Sequence, residues 1–378
     1  MRLAVALLAS CLVASVASVA SAQYSALTVS HSGPILGGRN RVVPVATGGR
    51  LVRSAGFTYP VGVTGGCGDA PEASLSNAGT GPMLSRDGRR IVYASARQVL
   101  LRNVGERAPK VIATGDFDRP ACLVAMAADS SSVLFYRVTR HSGPPDPDDE
   151  GGGGGAQIAG QFELYGFANE QTTLWAPDVA GRKLEKILLL DATRIVVLEE
   201  LAGEGYRRHL VVLDLAARTR TEIAHTEGNA ISFGQLGYFA GSLVWLDEGG
   251  GVVFHALTPS SSGTRWSTLT GTWAENQWHQ LSPSGARLSR VHRTSGTSGV
   301  VENALEVFEG GQSTPRSVSD SIYDYRWEND ATLLVEQFRE ARGVRRSFRL
   351  ARVDVATGQR TELSSRPASA RASVVFAD

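Results

Sequence analysis

Ser85-Arg86-Asp87-Gly88-Arg89-Arg90-Ile91-Val92-Tyr93 is a polar turn that runs straight into an apolar strand. Ser and Asp can accept hydrogen bonds from their own backbone, and Gly takes positive φ without strain, so the first four residues predict a tight connection. Ile91-Val92-Tyr93 is β-branched and aromatic, the composition that packs on a pleated surface. A second strand follows over Val99 to Val104 and a third ends in Val111-Ile112.

The same order recurs along the chain. Ala128-Asp129-Ser130-Ser131 leads into Val133 to Tyr136, with Phe162 to Phe167 and Thr173-Leu174-Trp175 after an interruption. Leu190-Asp191-Ala192-Thr193 leads into Ile195 to Leu198, then His209 to Asp214, then Thr221-Glu222-Ile223. Further units open with Ala240-Gly241 before Leu243 to Leu246, Ser282-Pro283-Ser284-Gly285 before Ala286 to Val291, and Asn329-Asp330 before Thr332 to Val335. From Gly88 through Ser131, Thr193, Gly241, Gly285 and Ala331 the turn position advances by 43, 62, 48, 44 and 46 residues. The long step holds an insertion of about twenty residues, and a 40–50-residue period of short strands is the pattern of propeller blades. The fold class is therefore all-β: a single β-propeller over residues 23–378 with about four antiparallel strands per blade. Seven blades are preferred and six are the alternative. One period before Gly88, Arg41 to Val45 and Gly56 to Val61 make a degenerate first unit, and Ser373-Val374-Val375-Phe376 can pair into it and close the ring.

The turn-plus-strand unit resembles the WD40-like (PD40) repeat of TolB-type propellers, whose blades carry a Ser-Pro-Asp-Gly turn before an alternating strand. Ser85-Arg86-Asp87-Gly88 and Ser282-Pro283-Ser284-Gly285 carry the resemblance. It implies the propeller architecture over most of residues 79–363 and no particular function. TolB itself has an α/β domain ahead of its propeller, with nothing comparable here. Propellers of the prolyl-oligopeptidase type accompany a hydrolase domain, whose Gly-x-Ser-x-Gly elbow this sequence lacks.

Met1-Arg2, the apolar stretch Leu3 to Val19 and Ala20-Ser21-Ala22 read as a signal peptide over residues 1–22, cleaved before Gln23. Leu8-Ala9-Ser10-Cys11 resembles a lipobox, but cleavage there would leave the apolar tail Leu12 to Ala20 on the mature chain. The expected location is periplasmic or secreted, with no membrane span. In such an oxidising compartment Cys67 and Cys122 form an even pair and are expected to make one disulfide.

Lys and Arg number 38 against 37 Asp and Glu, with no basic cluster, which disfavours nucleic acid as a partner. The seven histidines are never spaced as metal pairs, and neither His-Glu-x-x-His nor Cys-x-x-Cys occurs. Asp146, Asp148 and Glu150 stand at alternate positions before Gly151, a weak calcium candidate; Gln157 stands where an EF-hand places its bidentate glutamate, and five consecutive glycines favour a flexible acidic loop. No other cofactor is implied. Asp116 and Asp118 read as turn residues, and the six tryptophans as core for the most part.

Two function classes follow. The first is a non-catalytic binding or scaffold module that presents one rim of a rigid ring to a protein partner, the rim carrying the 141–160 insertion. The alternative is a hydrolase or lyase acting on a sugar, lactone or peptide in the axial channel. The inner strands around Met83-Leu84, Ala125-Met126, Gln280-Leu281 and Tyr325-Arg326 discriminate: acidic residues or histidine aimed into the channel favour catalysis, and Leu, Met and Ala oppose it.

Overall fold

The computed structural model describes residues 24–32, 38–47, 50–60, 82–95, 98–115, 121–142, 157–175, 182–201, 207–226, 234–239, 241–246, 252–257, 278–282, 284, 286–295, 301–309, 314–341, 344–367 and 372–376. They form antiparallel sheets in chain order, and among them no helix is long and apolar enough to cross a membrane.

The first sheet begins with β1 (Tyr24–Ser32), β2 (Arg39–Ala46) and β3 (Phe57–Pro60). The second is β4 (Met83–Leu84), β5 (Arg90–Ser95), β6 (Gln98–Asn103) and β7 (Lys110–Thr114). The third is β8 (Ala121–Met126), β9 (Ser132–Ser142), β10 (Gln157–Gly166) and β11 (Thr172–Trp175). The fourth is β12 (Arg182–Leu189), β13 (Arg194–Leu201), β14 (Arg208–Asp214) and β15 (Thr219–His225). The fifth has three described strands, β16 (Gly234–Phe239), β17 (Ser242–Leu246) and β18 (Val252–Ala256). The sixth is β19 (Trp278–Leu281), β20 (Arg287–Ser295), β21 (Val301–Glu309) and β22 (Arg316–Ser319). The seventh is β23 (Ile322–Asn329), β24 (Thr332–Ala341), β25 (Val344–Asp354) and β26 (Arg360–Pro367). The last strand, β27 (Ala372–Phe376), returns to the first sheet beside β1, with Leu27 opposite Val375 and Thr28 opposite Val374. The molecule thus has six four-stranded propeller blades and a sheet of three described strands. The unit expected to be degenerate is a full blade, because the C-terminal strand completes it and removes the free edge of β1.

The period-2 alternation explains why these sheets stack. On β5, Ile91 and Tyr93 pack with Tyr24, Leu27 and Val42 of the first sheet, while Val92 and Ala94 pack with Leu123 and Phe135 of the third. On β9, Val133 and Phe135 face back to the second sheet and Leu134 and Tyr136 forward to Leu184 and Ile195 of the fourth. Similar clusters join the fourth sheet to the fifth, the sixth to the seventh and the seventh to the first. A strand buried on both faces reads as a continuous apolar run, so the chain has the composition of a core at every turn of the repeat. Bulges recur at equivalent places: Ile112, Ile223, Val318 and Leu363 are each the extra residue of a fourth strand, and each packs into an inter-sheet cluster. Such a bulge turns an apolar side chain of the edge strand inward.

The polar turns at the strand starts clasp neighbouring blades. Ser85 Oγ donates to Asp87 Oδ1 at 2.5 Å and accepts from the Arg90 amide at 2.9 Å, which closes the turn on itself. The Asp87 amide then donates to Ser130 Oγ at 2.9 Å, and Arg90 Nη1 to the Ser130 carbonyl at 3.1 Å, in the next blade. The sixth sheet repeats the device with its polarity exchanged, since the amide and hydroxyl of Ser284 both donate to Asp330 Oδ1 at 3.0 and 2.8 Å. Arg287 reaches the Asp330 carbonyl as Arg90 reaches that of Ser130.

Candidate functional site

The innermost strand of each sheet faces the ring axis: the first of its strands in chain order in six sheets, and β27 in the sheet that closes the ring. Contacts of β8 with β12, β16 with β19, β19 with β23 and β27 with β4 make these strands the inner ring. All run toward the turns typified by Asp87-Gly88, so those turns share one rim, and the connections between second and third strands share the other. Bulges at Val124 on β8, Glu185 on β12 and Tyr323 on β23 re-aim the inner-strand side chains.

At the turn rim these strands enclose a cavity of about 410 Å³. Met83 of β4, Ala125 and Met126 of β8 and Ile187 of β12 supply apolar walls, and Gly237 and Tyr238 of β16 close one side. Three cationic residues line it from three blades: Arg86 in the β4–β5 turn, Lys186 of β12 and Arg326 of β23. Lys186 Nζ donates to the Leu236 carbonyl, which fixes the ammonium across the fourth and fifth sheets. Among the described residues lining this cavity there is neither carboxylate nor histidine.

Of the inner-strand residues singled out in the sequence, Met83, Ala125, Met126 and Arg326 line the cavity, whereas Leu84 and Tyr325 point into the inter-blade packing. Burial raises the Tyr325 hydroxyl pKa well above 10, despite its hydrogen bond with Ser289 Oγ at 3.1 Å, so this phenol stays protonated. Trp327 Nε1 donates to the same Ser289 Oγ at 2.8 Å, and Gln280 Nε2 to the Tyr325 carbonyl at 3.0 Å, a buried polar knot between the sixth and seventh sheets. Trp175, Trp245 and Trp327 are buried, as expected of core, while Trp266 and Trp273 lie outside the described residues. Lys186 and Arg86 escaped the sequence reading. The signal for Lys186 is the charged pair Glu185-Lys186 between Leu184 and the apolar run Ile187 to Leu190; Arg86 reads as an ordinary turn residue.

Asp146, Asp148 and Glu150 lie outside the described residues, as do Asp116, Asp118, Cys67 and the predicted signal segment. Cys122 is fully buried as the second residue of β8, opposite Tyr136, and so belongs to an inner strand. Among the described residues no group of three His, Cys, Asp or Glu is placed to hold a metal ion. On the outer strands of the fourth sheet, Glu222 lies 3.0 Å from His209 Nδ1 and 2.8 Å from His225 Nδ1. Hydrogen bonds from His209 and then His225 lower the Glu222 pKa from its ordinary 4.5, so the carboxylate clamps both imidazoles.

The opposite rim carries projecting hairpins. On β9–β10 the pairing of β8 stops at Arg137 and that of β11 at Phe162, yet β9 continues to Ser142 and β10 starts at Gln157. Roughly five residues per strand therefore extend about 17 Å past the blade, and among the described residues they pair only with each other. The β20–β21 hairpin extends likewise over His292 to Ser295 and Val301 to Ala304, whereas on β24–β25 the pairing of β26 continues to Ser347, opposite Arg339, so that only Glu340 and Ala341 with Val344 and Arg345 pass both neighbouring strands. The 141–160 insertion sits at the tip of the first of these arms, with His141, Ser142 and Gln157 to Gly160 in its strands rather than in a loop.

No family model and no curated protein matches the sequence. Among solved structures, the chain is similar to Porphyromonas gingivalis dipeptidyl peptidase 4, at 13% identity and a TM-score of 0.49 over 88% of this chain and 49% of that one. It thus spans about half the length of that peptidase. An oligogalacturonate lyase from Vibrio parahaemolyticus aligns at 11% identity and a TM-score of 0.48 over 76% of this chain and 77% of that one. The β-propeller domain of the Trilobed protease from Pyrococcus furiosus aligns at 10% and 0.43, over 76% and 98% of the respective chains.

Proposed function

We propose that the protein is an exported, non-catalytic propeller that presents the hairpin-bearing rim to a protein partner in the periplasm or outside the cell. The observation that carries this reading is the pair of arms on β9–β10 and β20–β21. A two-stranded hairpin reaching about 17 Å from its sheet has little to stabilise it in water. Its strand edges also offer backbone donors and acceptors to an added strand. A partner that lies across the rim satisfies both conditions. The apolar and cationic lining of the axial cavity supports binding over general acid–base chemistry, which needs a group that accepts or releases a proton near neutral pH.

The test compares the exported full chain with a variant in which residues 139–159 are replaced by an Asn-Gly turn. Both serve as baits for chemical cross-linking in the native envelope. A defined partner that cross-links to the wild type and is lost from the folded variant supports the reading. An equal cross-linking pattern for both, or turnover of a sugar, lactone or peptide that depends on a channel residue, overturns it.

A further inference from the structure

We propose that the axial cavity at the turn rim is a second site, which binds a small uncharged aromatic compound. The proposal is independent of the partner reading, since the cavity and the arms lie at opposite rims of the ring. Two observations carry it. Beyond Met1 the chain has only two methionines, Met83 and Met126, and both line this cavity from the innermost strands of neighbouring sheets. Met83 packs against the cluster that holds Met126, so the two side chains belong to one wall. Leucine fills the equivalent packing elsewhere, as at Leu84, Leu123, Leu134 and Leu184. A thioether differs from leucine in being flexible and polarisable, and it makes favourable contacts with the edge of an aromatic ring.

The second observation is an apolar wall left partly uncovered. Ala125, Leu188 and Tyr238 are half-buried at the cavity, beside the buried Val124, Ile187 and Leu189. A ligand seated there takes this surface out of water. The cavity volume of about 410 Å³ lies in the range of small-ligand pockets, about 300–1,000 Å³. The lining also decides the ligand's charge. Arg86, Lys186 and Arg326 each interact already within the protein, Lys186 with the Leu236 carbonyl. With these charges engaged, an ionised ligand gives up its hydration without meeting a free counter-charge, whereas a neutral ring gives up little. The Tyr238 hydroxyl can exchange a hydrogen bond with a hydroxyl or ring N–H of the ligand. An aliphatic ring of the same size would fill the space and miss the sulfur contacts.

Labelling the methionine methyls of the full chain with carbon-13 gives a separate resonance for each internal methionine. Met83→Leu and Met126→Leu assign them, since this swap nearly conserves volume. Titration with indole should shift both resonances saturably through the ring current, and calorimetry should find cyclohexanol bound about fivefold more weakly. In the chain carrying both leucines, the preference for indole should fall to about twofold or less while Tm stays near wild type. Ala125→Phe, which fills the cavity from a half-buried position, should abolish binding of both compounds. The variant lacking the β9–β10 arm should bind indole as the wild type does, so a failure here is distinguishable from a failure of the partner reading. Absence of a saturable shift, equal affinity of the wild type for indole and cyclohexanol, or indole-3-acetate bound more tightly than indole overturns the proposal. Tighter binding of N-acetyl-tryptophanamide than of indole would assign the ring to a peptide, and overturns the small-molecule reading.

Discussion

Gly88 lies against the backbone of Tyr24 so closely that a Cβ on it would fall 2.2 Å from the Tyr24 carbonyl oxygen. The Tyr24 amide donates to the Gly88 carbonyl at 2.9 Å, which ties the first strand of the chain to the turn of the second blade. Gly88 also holds φ at +66°, in the left-handed region. Gly88→Ala should therefore cost more than the roughly 1–2 kcal/mol of a left-handed alanine alone, since backbone must also move. Chemical denaturation should show the midpoint falling, and a variant as stable as wild type would mean that the turn and β1 part easily.

Ring closure depends on β27. Five residues of β27 pair with Ala26 to Ser30 of β1, and Val375 packs beside Leu27 and Val29. A chain ending at residue 371 should lose about 2–5 kcal/mol, taking each strand pair at the net worth of a backbone hydrogen bond. It also exposes the β1 edge, so size-exclusion chromatography should show concentration-dependent association. A monomer of unchanged stability would show that the ring does not need its clasp.

Acid stability should depend on Asp191. Burial raises its pKa, but hydrogen bonds from the Thr193 amide and from the side chain and amide of Arg194 outweigh this and hold it below the ordinary 3.8. A depressed folded-state pKa contributes stability above the unfolded value that is lost as pH falls through the folded one. Asp191→Asn should thus be less stable than wild type at neutral pH by about 1 kcal/mol, with the difference shrinking below about pH 4. Urea midpoints at a series of pH values measure this, and a pH-independent difference would point to packing instead.

The expected Cys67–Cys122 disulfide would close a loop of about 55 residues and is proposed to add about 4 kcal/mol in the loop-entropy account. Thiol labelling of the unfolded, unreduced export product should find neither cysteine reactive. Reduction should lower Tm, and quantitative labelling of both residues would remove the bridge from the account.

The sequence by itself determined the repeat, and so the fold class. Turns such as Ser85 to Gly88 and strands such as Ile91 to Tyr93 are local signals, set by backbone conformation and side-chain alternation within a few residues. It also indicated that the last strand could close the ring, because an edge strand needs a partner and the first unit was one strand short. Which side chains meet at the axis was decided only by tertiary structure. Arg86, Lys186 and Arg326 are distant in the chain and share no motif, and their convergence depends on inner-strand bulges and blade order. The arms were hidden for a related reason: His141 and Gln157 border a Gly- and Asp-rich stretch that reads as loop, while cross-strand pairing, which no single strand encodes, carries the strands into it.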